Sequence, residues 1–147
     1  MDEALKARAL RLLARREHSR AELARKLAPH AESPEALAAL LAELLAKKQL
    51  SDERFAEARS RALARKYGAA RIRQDLRSKG VAAEIVEGVS SGGELERARA
   101  ILERRYRAPP QTFGERAKRA RFLQGRGFSL EVIHDLLDIA EPKAYNA

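Results

Sequence analysis

Residues 76–89, LRSKGVAAEIVEGV, and residues 123–136, LQGRGFSLEVIHDL, decide how this chain is organised. Shifted by 47 positions without a gap, the first stretch lays Leu76 on Leu123, Lys79 on Arg126, Gly80 on Gly127, Val81 on Phe128, Glu84 on Glu131, Val86 on Ile133 and Val89 on Leu136. Toward the N-terminus a shift of 49 lays Ser19 on Gly68, Leu23 on Ile72, Leu27 on Leu76, Glu35 on Glu84, Leu37 on Val86 and Leu40 on Val89. Ile72 falling on Arg119 is a mismatch. A period of roughly 40 to 47 residues is that of tandem helical repeats, whose units bury apolar faces against their neighbours. The register predicts an all-α chain of three tandem three-helix repeats, 1–50, 51–93 and 94–147, forming a curved, elongated array.

The charges keep the same rhythm. Residues 6–26 hold 8 basic and 2 acidic side chains, residues 54–79 hold 9 and 2, and residues 97–126 hold 10 and 2. The intervening segments 27–46, 80–96 and 127–142 contain no Lys or Arg but 3, 4 and 4 acidic residues. Repeated units of this kind line their basic stretches along one surface. With a formal charge of +9 overall, the chain attracts polyanions: nucleic acid, an anionic membrane or an acidic protein.

Composition agrees with helices. Only 5% of the residues are aromatic and none is Trp, while Ala, Leu, Arg, Glu and Lys dominate. Without Cys there is neither a disulfide framework nor a thiolate metal site. The opening Asp2 and Glu3 differ from a basic signal region, and the longest apolar run, 36–42, is far too short to span a bilayer. A cytoplasmic monomer without membrane contact is expected.

Helix punctuation divides the chain further. Ser19 with Glu22 and Thr112 with Glu115 read as capping boxes, Ser33 precedes Pro34 at a first helical position, and Ser51 precedes Asp52 and Glu53. Gly80 and Gly127 suit left-handed helix ends. Helices are predicted at about 3–18, 20–28, 34–48, 52–66, 69–79, 82–89, 94–106, 114–126 and 129–138, within about two to four residues. Leu37, Leu40, Leu41, Leu44 and Leu45 follow the helical spacing. The stretch Ser90–Ser91–Gly92–Gly93 reads as a flexible joint before the third repeat.

No catalytic constellation is present. His18, His30 and His134 have no partner at metal-ligand spacing, and SSGG lacks the lysine of a phosphate-binding loop. The basic blocks carry the functional signal, because a guanidinium grips phosphate in a bidentate fork. Arg59, Arg65, Lys66, Arg71, Arg73 and Arg77 cluster with Tyr67 in the middle repeat, and Arg104, Arg105 and Arg107 bracket Tyr106 in the third. Two readings of these tyrosines stand: a platform for an unpaired base, or the closing of a helix packing face. Arg8, Arg11 and Arg15 likewise form either a solvated stripe or a binding one. Nothing indicates base-specific readout.

Four segments, ALRLLARREHSRAELARKL (9–27), DERFAEA (52–58), YGAARIRQDLRSKGV (67–81) and RFLQGRGFSLEVI (121–133), together resemble the bacterial RecX proteins, regulators of the RecA recombinase. Arg54, Phe55, Gly68, Ile72, Leu76, Gly80, Arg126, Gly127 and Phe128 match the family's motif positions. The resemblance implies three tandem three-helix repeats and no cofactor. It also implies binding along the groove of the RecA filament on single-stranded DNA, with suppression of ATP hydrolysis and strand exchange. Non-specific contact with duplex is a further expectation. The residues expected to make such contacts are Arg59, Arg65, Lys66, Arg71, Arg73, Arg77, Arg104, Arg105, Arg119, Arg121 and Arg126. The alternative is a general helical nucleic-acid-binding protein with no specific recombinase partner.

Overall fold

The structure, a computed structural model, describes residues 2–138. Among them are α1 (Asp2–Arg15), α2 (Arg20–Leu27), α3 (Pro34–Ala46), α4 (Asp52–Leu63), α5 (Ala69–Ser78), α6 (Ala83–Glu87), α7 (Glu94–Arg105), α8 (Phe113–Gly125) and α9 (Leu130–Leu137), with a 3-10 turn at Ala28–His30 and no strand. The all-α, three-by-three organisation read from the repeat is the one observed. Residues 139–147, assigned to the third repeat, lie outside the described residues.

Capping explains most helix starts. The hydroxyls of Ser19, Ser33, Ser51, Thr112 and Ser129 each accept from a backbone N–H of the first turn. Gly80 and Gly127 have φ of +79° and +90°, as left-handed ends require. The expected capping boxes close differently. The Glu115 carboxylate accepts from Gln111 N–H, one residue before the cap, and Glu22 accepts two hydrogen bonds from Arg16, at 3.0 and 2.7 Å. The turn at Ser90–Gly93 is also more built than its composition suggests: Ser90 Oγ accepts from Gly92 N–H, and Arg97 donates to the Gly92 carbonyl.

Packing forms two compact units, one of the residues up to Arg59 with Asp75–Gly88, the other of Ser60–Gln74 with the residues from Val89 onward. The first unit centres on Leu5, Ala9, Leu23, Leu27, Leu40, Leu41, Leu44 and Leu50 from α1 to α3 and the residues after it. The second centres on Ala98, Ile101, Ala120, Leu123, Phe128, Ile133 and Leu137 from α7 to α9. Each fully buried leucine or isoleucine contributes about 1.5–3 kcal/mol. Helices of the middle repeat contribute to both units.

A shared crossing recurs in each unit. In the first, the buried Ser19 hydroxyl donates to the Lys79 carbonyl at 2.7 Å, and Asp52 accepts from Arg20 N–H at 2.7 Å. A Cβ on Gly80 would stand 2.5 Å from Ala21 Cβ. In the second, Gly68 N–H donates to the Arg126 carbonyl at 2.8 Å, and the buried Glu94 accepts from Ala69 N–H at 2.9 Å. A Cβ on Gly68 would stand 2.6 Å from the Gly127 carbonyl carbon and 2.7 Å from Phe128 N. The two shifts that align the sequence, Ser19 with Gly68 and Lys79 with Arg126, therefore align a contact. In both units an acid at the start of one helix satisfies a free N–H at the start of another.

Two titratable side chains, His18 and Glu22, fix the turn before α2. His18 is 1% exposed; Lys26 Nζ donates to its Nε2, so Nδ1 carries the proton and donates to the Arg16 carbonyl. Burial pushes the His18 pKa down. The hydrogen-bonded Arg16 guanidinium, working against burial, pulls Glu22 down to about 2.

Two outcomes follow from this packing. Gly68→Ala should destabilise the protein by about 1–3 kcal/mol, read as a lower urea midpoint, because the methyl meets backbone that has no room to move; an unchanged midpoint would contradict the crossing. The folded carboxyl of Glu22 lies below its ordinary value, so its contribution is present above the unfolded pKa near 4.5 and is lost as pH falls toward about 2. Glu22→Gln should accordingly melt lower than the parent at neutral pH, with the gap narrowing through that window. A gap independent of pH would show that the ion pair contributes nothing.

Candidate polyanion interface

Helix α4 ends at Leu63, and the chain turns through 64–67 with Lys66 and Tyr67 N–H both donating to the Leu63 carbonyl. That turn leaves a series of carbonyls unmet at the negative end of a helix dipole. Arginines from the third repeat meet all four. Arg97 donates to the Ala64 and Tyr67 carbonyls at 3.2 and 3.4 Å, Arg104 to the Arg65 carbonyl at 2.9 Å, and Arg126 to the Lys66 carbonyl at 3.1 Å. The sequence therefore places cations here for a structural reason as well as for any ligand.

Arg126 combines its carbonyl bond with ring contacts, and three further arginines lie over the neighbouring rings. Arg126 lies 5.4 Å from the Tyr67 ring centre and 4.9 Å from that of Phe122. Arg105 lies 4.4 Å from Phe122 and 5.8 Å from Tyr106, Arg119 4.2 Å from Tyr106, and Arg71 4.7 Å from Tyr67. Tyr106 meets Phe122 edge-on at 6.4 Å. The result is one chain of contacts, Arg71–Tyr67–Arg126–Phe122–Arg105–Tyr106–Arg119. Each pairing contributes about 0.5–1 kcal/mol where partly exposed.

A cleft of about 360 Å³ opens among Arg65, Lys66, Tyr67, Ile101, Arg104, Arg105, Phe122 and Arg126. Among the described residues no carboxylate forms an ion pair with any of its five cations. The structure thus brings five of the expected contact residues to one place, with Arg71 and Arg119 joined to them through Tyr67 and Tyr106.

The remaining four lie elsewhere. Arg59 is held in a bidentate ion pair with Asp75, at 2.8 and 3.0 Å, and that hydrogen bonding raises its pKa. Arg73 donates to the Val89 carbonyl at 2.9 Å, whereas Arg77 and Arg121 are exposed. Arg71 also donates to the Gly125 carbonyl at 2.9 Å. Sequence reasoning passed over Phe122 and Ile101. The spacing of Phe122 to Arg126, four residues along a helix, was the available sign. Both tyrosines face arginines, so a base stacking on them would compete with a guanidinium for the ring. Among the described residues no cluster of side chains has the makings of a metal site, and no helix is long and apolar enough to cross a membrane.

Comparison with known proteins gives a consistent result. The chain matches the RecX first three-helix domain over residues 6–44, the second over 51–89 and the third over 93–137. It is 46% identical over 140 residues to regulatory protein RecX of Leptothrix cholodnii, covering 93% of this chain and 89% of that protein. Against regulatory protein RecX of Neisseria gonorrhoeae the identity is 38% over 137 residues, covering 92% and 90%. The fold superposes on a crystal structure of RecX from Lactobacillus salivarius with a TM-score of 0.77 at 20% identity, covering 93% and 94% of the two chains.

Phe122→Leu keeps an apolar side chain but removes the ring that two arginines and Tyr106 share. A loss of about 1–3 kcal/mol in urea unfolding is expected, and a variant as stable as the parent would show that the ring contacts hold nothing.

Proposed function

The chain belongs to the RecX family of regulatory proteins, and from that premise we propose that it binds the RecA filament on single-stranded DNA through its basic face. It thereby inhibits RecA ATP hydrolysis, strand exchange and filament growth, and so restrains recombination and the SOS response. In this reading it works in the cytoplasm as a monomer, without a cofactor and without chemistry of its own, through three repeats at 1–50, 51–93 and 94–147. The observation that carries the proposal is the carboxylate-free group of five cations around the cleft of the second unit. Arg65, Lys66, Arg104, Arg105 and Arg126 offer a filament both charge and directed N–H donors. Arg71, Arg119 and Arg121 extend that set on the same unit, while Arg59, Arg73 and Arg77 are assigned a lesser share.

A second reading, a general nucleic-acid-binding helical protein, uses the same cations, because phosphate contacts carry no sequence information. RecA ATPase on single-stranded DNA separates the two when it is titrated at a salt concentration that abolishes binding of this chain to bare DNA. Inhibition is expected to persist there. Inhibition that disappears in parallel with DNA binding, along the steep salt slope of phosphate contacts, would leave only the second reading. In the same assay, reversal of the exposed Arg65, Lys66 and Arg121 to Glu should weaken inhibition by about tenfold or more. The melting temperature should stay near that of the parent.

A further inference from the structure

We propose that the cleft of the second unit is a binding site for a free oligophosphate, the triphosphate group of a nucleotide or an inorganic chain of linked phosphates, recognised without regard to any attached base. Its volume of about 360 Å³ falls among small-molecule sites, which run from about 300 to 1,000 Å³. Five cations converge on that one space. A nucleic-acid strand spreads one charge per phosphate along a track, whereas an oligophosphate concentrates several charges in a single cavity, which is the distribution this cleft complements.

The donors are already aimed. Arg104 and Arg126 each spend one N–H bond on a carbonyl, at 2.9 and 3.1 Å, and a guanidinium has five donors, so both keep others for a ligand. Arg105 and Arg126 rest on Phe122, which limits their freedom before a ligand arrives. Such preorganisation lowers the ordering cost of binding. Tyr67, Phe122 and Tyr106 each already carry two guanidinium groups, so the rings serve to position arginines and leave a base little to stack on. Because the site shares residues with the proposed filament face, a bound oligophosphate would compete with docking. The site itself does not depend on the filament reading, since its test contains neither DNA nor RecA.

Isothermal titration of the full chain with inorganic triphosphate should show one saturable site. Inorganic triphosphate should bind at least about tenfold more tightly than inorganic monophosphate or AMP, with ATP and GTP within about threefold of each other. The double variant Arg65→Gln/Arg105→Gln, which spares both carbonyl-bonded arginines, should weaken triphosphate binding by about tenfold or more. Arg20→Gln/Arg25→Gln, which removes as much charge from exposed positions of the first unit, should leave it within about twofold. Equal weakening by both variants would mean diffuse attraction and overturn the site. So would the absence of saturation, or a strong preference for one base.

Discussion

At one recurring crossing two helix ends approach so closely that a glycine stands where a Cβ would collide, and the remaining architecture is arranged around that fact. In the first unit the start of α2 meets the end of α5 through the Ser19 hydroxyl and the Lys79 carbonyl, beside Gly80. In the second the start of α5 meets the end of α8 through Gly68 N–H and the Arg126 carbonyl, beside Gly127. In the second unit the Ala69 N–H at the helix start is buried away from water. Asp52 and Glu94, each two helices further along the chain, supply acceptors to the starts of α2 and α5. The first and second repeats are thereby each completed by a residue of the one that follows, in keeping with compact units that cut across the repeats.

The arginines inherit two tasks from this arrangement. At the end of α4, Arg97, Arg104 and Arg126 satisfy carbonyls that the turn leaves open, while Arg71, Arg105, Arg119 and again Arg126 lie over Tyr67, Phe122 and Tyr106. A guanidinium with five donors can hold a carbonyl and still present N–H groups outward, which a lysine, as a point charge, does less well. The preference for arginine in these blocks therefore has a folding cause. Arg59 shows the limit of reading function from charge alone: its charge is paired with Asp75, which takes two of its donors.

The fold was largely legible because its signals are local or periodic. Capping residues mark helix starts within a single turn, and the helix ends lie within three residues of their expected positions. Gly80 and Gly127 announced themselves by register. The site was legible only in part. Tyr67 and Tyr106 stood next to cations in the sequence, and Arg71 and Arg105 are near enough along the chain to be expected, but their other partners Arg126 and Arg119 come from α8 and its C-terminal turn, where no spacing rule reaches. Phe122 looked like one more apolar residue of a helix. Glu22 satisfied the pattern of a capping box, yet Arg16 offered its carboxylate a charged bidentate partner, which a single backbone N–H does not match.

In the proposed function the cationic cleft of the second unit is the surface that meets the filament. Hydrogen exchange of this chain, measured alone and with RecA filaments assembled on single-stranded DNA, tests it most directly. The account predicts slowed exchange in 64–67, 104–106 and 121–126 on adding filaments, with α3 unchanged. Protection confined to α3, or none in those three segments under conditions where the proteins bind, would contradict it.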